Sequence, residues 1–473
     1  MKFGTSGLRG LSVDLEGRAS ALYATAFARH LLKSGHARLG DFVLVGRDFR
    51  ESSPSVAATC IGALERAGLV PIDCGAIATP ALALYGLDLG AASLMVTGSH
   101  IPADRNGIKF YRPDGEIDKQ DELAITQEAD AIGDDAIDAT PARAEDRSGQ
   151  ADAQFFARNA ALLPAGSLAG LTVGVYEHST VARDLLGLVL SHFGARVVPL
   201  GRSDSFIPVD TEAVSPETVE LLRGWTKQHR LDAIVSADGD GDRPLVSDEQ
   251  GEPLRGDLLG LIAANFLSAG VLVTPVTSNS GIEAAGRYRV TRTRVGSPYV
   301  ISGMNAALEA GEPGVIGFEA NGGTLTATPF AIGGTTLKPL PTRDSFLPIL
   351  ATLHAAASAK ETLSEVAARY RLPFAAADRL ENFPLETSGA LMAHLRASQA
   401  ALETFLAPIG SVASSSDIDG LRVMLTDGRM IHFRPSGNAP EMRCYVEAPT
   451  EKDAKTLLEQ GLGLIRNFAK TGQ

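Results

Sequence analysis

Asp238-Gly239-Asp240-Gly241-Asp242-Arg243 sets three carboxylates on alternate residues with glycines between them. The glycines let the backbone curl, so that the acids converge hard oxygen ligands on one cation. Mg²⁺ is the expected ion, because a few protein ligands leave coordination sites for water and phosphate. An EF-hand loop would also use Asp238, Asp240, Asp242 and Glu249, but its sixth place must be glycine and here is Arg243. A strand, Ala233-Ile234-Val235, rather than a helix enters the run. A phosphatase that phosphorylates an aspartate would carry Thr or Val where Asp242 stands. A merely solvated turn would concentrate like charge at a cost that a cation removes.

Ser99 stands in Thr97-Gly98-Ser99-His100-Ile101-Pro102, with Asn106-Gly107-Ile108-Lys109 behind it. The small apolar run Ala91 to Val96 reads as a buried strand ending at Thr97. A serine at such a strand end, in a Gly/Pro loop, is placed where α/β proteins do chemistry, although alone such a serine is more often a cap or turn residue. A hydrolase elbow is excluded, because Thr97 and Ile101 stand where Gly-x-Ser-x-Gly needs glycines.

Arg434-Pro435-Ser436-Gly437-Asn438-Ala439-Pro440, with Arg443 after it, offers two guanidinium groups, hydroxyl and amide donors and freed backbone amides. That set suits a phosphate dianion. Gly317-Phe318-Glu319-Ala320-Asn321-Gly322-Gly323 pairs an acid with an amide that can bind neighbouring hydroxyls, and in isolation is an ordinary loop. Gly4 to Gly10, with Arg9, and the pair Arg292 and Arg294 before Gly296 read by themselves as solvated loops. His432 reads as structural.

The elements that must position these residues repeat a plan. Strand Phe42–Val45, helix Ser55–Ala67 and strand Leu69–Asp73 form a βαβ unit; Leu171–Tyr176, Val181–Phe193 and Ala195–Leu200 form a second. A third is expected from Val271–Thr274 across a helix to Tyr288-Arg289-Val290. Residues 130–150 read as a surface connector. The tail differs: a hairpin with its turn at Asp427-Gly428, a strand Met442–Glu447, and a final helix capped by Thr450 form an α+β module. The expected domains are 1–140, 150–253, 254–371 and 372–473, with a hinge near Leu372-Pro373.

The 473 residues are too many for one core, and 44% hydrophobic with 21% charged residues is ordinary globular composition. A net charge of −13 argues against nucleic-acid binding and requires a locally basic pocket for any anionic substrate. Cys60, Cys74 and Cys444 are unpatterned, which predicts buried thiols in a reducing compartment. The N-terminus lacks the apolar core of a signal peptide, and the longest uncharged run, Leu258 to Ile282, reads as a buried helix turning into a strand. A cytoplasmic protein without membrane partners is expected.

Together these stretches resemble, in order and over essentially the whole chain, the α-D-phosphohexomutase superfamily. Thr97–Pro102 is similar to its T-A-S-H-N-P, Asn106–Lys109 to N-G-x-K, Asp238–Arg243 to D-G-D-G-D-R, and Arg434–Pro440 to R-P-S-G-T-E-P. The resemblance implies three related α/β domains with mixed, largely parallel sheets and a C-terminal α+β domain around a central cleft. It implies that Ser99 carries a phosphoryl group beside Mg²⁺, with Ser99, Asp238, Asp240 and Asp242 as the metal site. The group passes to a hexose phosphate through a hexose 1,6-bisphosphate, which also serves as activator. Arg243 and Lys109 are implied to stabilise the phosphoryl in transit, Lys109 doubling as proton shuttle if cationic neighbours lower its pKa. Arg9 and His100 would support the serine loop. Glu319, Asn321 and Arg294 would bind the hexose, and Arg434, Ser436, Gly437, Asn438 and Arg443 the distal phosphate.

Several positions depart from the pattern: Gly98 stands for alanine, Ile101 for asparagine, Phe318 for glycine, Asn321 for serine, Gly323 for histidine, and Asn438 and Ala439 for Thr and Glu. These variants resemble the bacterial phosphomannomutases that feed GDP-mannose and polysaccharide synthesis. Phosphoglucomutase is the near alternative, since mannose and glucose differ only at C2; phosphoglucosamine mutase and an inactive sugar-phosphate binder are more distant. A monomer or homodimer is expected.

Overall fold

The computed structural model describes residues 2–4, 7–133, 137–284, 288–436 and 440–471. The chain divides into two compact units, one of residues 1–272 and 296–367, the other of residues 273–295 and 368–473.

Among the described residues the first unit contains three sheets of four or more strands and a two-stranded ribbon, Phe330–Ile332 with Thr335–Leu337. In the first, the strands run in the order Lys2–Gly4, Gly7–Leu11, Arg105–Arg112, Ala92–Val96, Phe42–Arg47, Val70–Ala76 and Glu145–Asp146. Phe42–Arg47 pairs in parallel with both Ala92–Val96 and Val70–Ala76, through helices Ser53–Arg66 and Thr79–Leu89. The remaining pairs toward the N-terminus are antiparallel. Every residue of Ala92–Val96 is buried, as expected of a strand covered on both faces. Phe27, Leu31, Val45, Leu64, Leu94 and Phe110 form part of the core beneath it.

The second sheet has the order Arg196–Leu200, Thr172–Tyr176, Ala233–Ala237, Pro244–Ser247. Its last pair is antiparallel, Ala237 opposite Pro244, so Asp238–Arg243 is the loop of a hairpin. In the third sheet Val315–Phe318, Thr324–Thr326 and Leu340–Asp344 are antiparallel neighbours, and residues 319–323 form another hairpin loop. Two hairpin tips thus carry two of the chemical motifs, where the backbone is free of ladder bonds.

The second unit is an antiparallel sheet, Phe374–Leu380, Met442–Ala448, Met430–Pro435, Leu421–Leu425 and Val412–Ser416 in spatial order. Leu421, Val423 and Leu425 alternate with half-buried Arg422 and Met424, a one-sided strand pattern. The buried face packs on helices Leu385–Ala397, Gln399–Leu406 and Glu451–Thr471 through Leu391, Leu406, Leu457 and Ile465. Thr450 Oγ1 caps the last helix by accepting from Asp453 N–H. Residues 273–295 join this unit through Asn279 Nδ2, which donates to Pro373 O at 2.9 Å, and Ser280 N–H, which donates to Glu447.

Three expectations are corrected. The third crossover has no helix among the described residues between Val271–Pro275 and Arg289–Thr293, only a 3₁₀ turn at Ser280–Ile282. Asn279, Ser280 and Gly281 spend their polar groups on local turns and on the second unit instead. The N-terminal segment is a strand from Gly7 to Leu11 rather than a loop, because residues 8–11 find ladder partners in residues 105–108. The connector 130–150 includes a short strand, Glu145–Asp146, that pairs with Val70–Ala76. Cys60, Cys74 and Cys444 are free and buried. No helix of the described residues is long and apolar enough to cross a membrane.

Candidate active site

Strand Ala92–Val96 delivers the serine loop. Ser99 has φ of 55°, a left-handed conformation rare for a residue with a Cβ. A buried network holds it there. Ser99 N–H donates to Thr97 Oγ1 at 2.8 Å, and Thr97 Oγ1 donates to Asp48 at 2.7 Å. Arg50, also buried, donates to the carbonyls of Ser99, Ile101, Pro102 and Arg105 and pairs with Asp48. Gly98 is explained by this arginine: a Cβ there would stand 2.7 Å from Arg50 Cζ.

So held, Ser99 Oγ donates to Asp238 Oδ2 at 2.5 Å, across 139 residues of sequence. The metal-loop hairpin brings Asp238, Asp240 and Asp242, all fully buried, to within 4.8 Å of one another by one oxygen each. Backbone amides of Asp242 and Arg243 bond Asp238 Oδ1. Lys109 Nζ reaches Asp240 Oδ2 at 2.5 Å and Asp242 Oδ2 at 2.6 Å, and Thr79 Oγ1 also donates to Asp240. Asp240 Oδ1 and Asp242 Oδ1 are buried and accept no hydrogen bond among the described residues. Buried orphan carboxylate oxygens are costly, and an oxygen-only donor set of this kind fits a hard divalent cation. Burial, then the charges of Asp240 and Asp242, push Asp238 up to about 8. Burial also favours neutral Asp242, but Arg343, Lys109 and Arg243 outweigh it and hold that carboxyl well below the usual range.

Lys109 does not meet the condition set for a proton shuttle, a lowered pKa. Burial alone would lower its pKa, but Asp240 and Asp242 overcome burial and raise it, so it remains an ammonium. Arg243 Nη1 donates to His100 Nδ1 at 2.7 Å, and that nitrogen lies 3.3 Å from Ser99 Oγ. Burial, then Arg243, bring His100 down to about 3; a neutral ring accepting from Arg243 is the consequence. Arg9, on its strand opposite Gly107, carries electrostatic effects from Arg243, Arg343, Asp240 and Asp242.

Glu319 and Asn321 are both buried in the 319–323 hairpin loop. Asn321 Oδ1 accepts from Gly323 N–H, and Thr211 Oγ1 lies 3.4 Å from Asn321 O. Arg343 joins Glu319 to Asp242. Asp48, Arg50, Thr79 and Arg343 are the residues that sequence reading passed over. Arg50 carried one available signal, the run Gly46-Arg47-Asp48-Phe49-Arg50 directly after a buried strand; Arg343 carried none.

The second unit brings other members together. Arg434 Nε pairs with Asp419 Oδ1 at 2.9 Å, Asp419 Oδ2 accepts from Val295 N–H, and Arg294 Nε donates to Ile418 O. Arg294 and Arg434 thus meet on one loop. Arg443 pairs with Glu441, and Ser436 N–H donates to Glu441 O. Gly437 and Asn438 lie outside the described residues. His432 is buried and its Nε2 bonds Asp419 O at 2.7 Å, a structural role.

An α/β scaffold that sets a serine and an acidic cation loop against Lys109, Arg243 and Arg343 defines a class that handles phosphoryl groups. Comparison with known proteins specifies it. Residues 1–135, 255–372 and 380–462 match the phosphoglucomutase/phosphomannomutase domain I, domain III and C-terminal domain families. The chain is 57% identical to a phosphomannomutase of Sinorhizobium fredii over 98% of this chain and 99% of that one. It is 40% identical to a phosphomannomutase of Salmonella muenchen over 99% and 96%. A solved phosphoglucomutase/phosphomannomutase family protein from Burkholderia thailandensis has the same fold, with a TM-score of 0.76 at 20% identity, over 99% and 98% of the two chains. The chain belongs to the phosphoglucomutase/phosphomannomutase family of the phosphohexomutase superfamily, and is an isomerase of the phosphomannomutase type.

Proposed function

We propose that this enzyme interconverts mannose 6-phosphate and mannose 1-phosphate through a phosphorylated Ser99 and a hexose 1,6-bisphosphate. The observation that carries the reading is the Ser99 Oγ to Asp238 Oδ2 hydrogen bond, which joins a strained serine to the acidic loop. The Oγ–P bond of phosphoserine 99 breaks as the free hydroxyl of the bound hexose phosphate forms the new O–P bond, and the hydroxyl proton ends on Ser99 Oγ. The resulting bisphosphate turns over in the site and returns its other phosphoryl group to Ser99. The sequence conserves phosphate overall and depends on keeping water from the phosphoserine.

Asp238, Asp240 and Asp242 would hold Mg²⁺, which supplies charge stabilisation to the phosphoryl in transit. Lys109, Arg243 and Arg9 add fixed positive charge, which suits phosphoryl transfer better than a base does. His100, neutral, steadies Arg243 against the serine loop. Glu319 and Asn321 bind adjacent hexose hydroxyls with Arg294. Arg434, Ser436, Gly437, Asn438 and Arg443 clamp the distal phosphate, and Arg434 and Arg443 must exchange Asp419 and Glu441 for it. Domains at 1–140, 150–253, 254–371 and 372–473, a cytoplasmic location, a monomeric or homodimeric state and supply of mannose 1-phosphate to GDP-mannose go with this reading.

The test is a coupled assay with Mg²⁺ and a trace of hexose 1,6-bisphosphate, comparing mannose 1-phosphate with glucose 1-phosphate and reading free phosphate in parallel. Faster turnover of mannose 1-phosphate, lost in Ser99→Ala, is expected. Equal rates would make the enzyme dual-specific, and phosphate release at the rate of turnover would refute the mutase mechanism.

A further inference from the structure

Arg343 is one of the largest fully buried side chains in the protein, 1% exposed. It lies on strand Leu340–Asp344, beside the strand that leaves the 319–323 hairpin loop. Its Nε and Nη2 both reach Asp242 Oδ2, at 3.0 and 2.9 Å, and its Nη1 reaches Glu319 Oε2 at 3.0 Å. A guanidinium cannot shed its charge, so at this burial the two carboxylates beside it compensate that charge. Both contacts to Asp242 fall on Oδ2, while Oδ1 lies 3.7 Å from Arg243 Nε and accepts no hydrogen bond among the described residues.

The stem is as constrained as the head. A Cβ on Gly323 would stand 2.6 Å from Arg343 Cδ, 2.8 Å from Cγ and 3.1 Å from Cβ. These atoms are the root and middle of the side chain, so a rotation of its tip cannot relieve the collision. The missing side chain at 323 and the buried arginine are therefore two halves of one arrangement.

We propose that Arg343 is a positioning residue for the mutase reaction: it locks the hexose loop to the metal loop through Glu319 and Asp242, and Gly323 is glycine because the arginine stem occupies its side-chain space. The proposal rests on the reading of Glu319 as a hexose ligand and of Asp242 as a metal ligand. Glu319 then meets the sugar in one orientation only, at a set distance from the phosphoryl site.

The test compares Arg343→Met, Arg343→Lys, Gly323→Ala, Glu319→Gln and the doubles Gly323→Ala/Arg343→Met and Glu319→Gln/Arg343→Met, by KM and kcat with mannose 1-phosphate and by thermal melts. Arg343→Met is expected to lower kcat/KM by roughly 10²-fold, the scale of losing a charged partner of a buried group, with a raised KM. Gly323→Ala should reproduce the defect by displacing the stem, and the Gly323→Ala/Arg343→Met double should be no worse than either single. In the Glu319→Gln background the KM effect of Arg343→Met should vanish, and Arg343→Lys should recover part of the loss by keeping one carboxylate. A purely structural Arg343 would lower the melting temperature and leave KM unchanged, which overturns the proposal. Defects of Gly323→Ala and Arg343→Met that multiply overturn it too. If Arg343→Met fails to fold, Gly323→Ala alone and with Glu319→Gln decides by the same KM criterion. If the wild type turns over no hexose phosphate, the functional reading fails separately. The melts then judge the pairing: non-additive losses support it and additive losses overturn it.

Discussion

Arg50→Met removes the cation that shapes the serine loop without touching Ser99 itself. In the wild type its guanidinium bonds Ser99 O at 3.0 Å, Ile101 O at 2.7 Å, Pro102 O at 2.7 Å and Arg105 O at 2.9 Å. It also pairs with buried Asp48 at 3.2 Å, and the Phe206 ring covers it at 3.9 Å. Losing one partner of a buried ion pair costs about 3–5 kcal/mol. Each carbonyl left buried without a donor adds about 1–3 kcal/mol. Those sums exceed what local opening of a loop requires, so the loop should open rather than remain shut around unpaired groups. With about 1.4 kcal/mol per decade, about 3–5 kcal/mol raises the open population roughly 10²–10⁴-fold. Hydrogen exchange at residues 97–105 should accelerate by that factor, and kcat should fall at least tenfold because Ser99 no longer rests on Asp238. Arg50→Lys should lie between, since an ammonium has three donors against five. Unchanged exchange at 97–105, or exchange rising equally over the whole chain, would show that Arg50 does not hold the serine loop.

Three other outcomes follow from the same geometry. After chelation, Mg²⁺ at 100 times its Kd should stabilise the protein by about 2.7 kcal/mol, read as a rise in melting temperature, and Asp240→Asn should abolish the rise. His432, brought down to about 4 by burial against an unfolded value near 6.5, is neutral when folded. Its stability contribution is therefore complete above pH 6.5 and lost as pH falls toward 4. Between pH 7 and 4.5 the wild type should lose about 2.5 kcal/mol more than His432→Gln in urea melts, and equal losses would contradict the burial argument. Burial raises the Cys60 and Cys74 thiols to about 12 and raises Cys444 further. Intact mass after iodoacetamide at pH 8 should therefore show no adduct on the native protein and three after denaturation.

The two loops richest in chemistry are legible in sequence because each is contiguous. Asp238–Arg243 carries its acids and glycines within one hairpin tip, and Ser99 follows a strand whose apolar run is unbroken. The tail is legible for the same reason, through Asp427-Gly428 and strict alternation in Leu421–Leu425. What the sequence hides is long-range. Arg9 looks like a loop residue until residues 105–108 supply its ladder. The helix expected after Val271–Pro275 is not found among the described residues, where Asn279 and Ser280 bond to Pro373 and Glu447. Arg343 has no local signature, since its partners lie 101 and 24 residues away. Lys109 misleads in the opposite way: its arginine neighbours suggest a lowered pKa, but the two aspartates are closer and prevail.

The mechanism turns on Ser99 as the carrier of the phosphoryl group. Incubation with hexose 1,6-bisphosphate labelled with ³²P, followed by peptide mapping, tests it directly. Label is expected on the peptide containing Ser99, with transfer to added mannose 1-phosphate and no release of free phosphate. Label on another residue, or label that leaves only as inorganic phosphate, would contradict it.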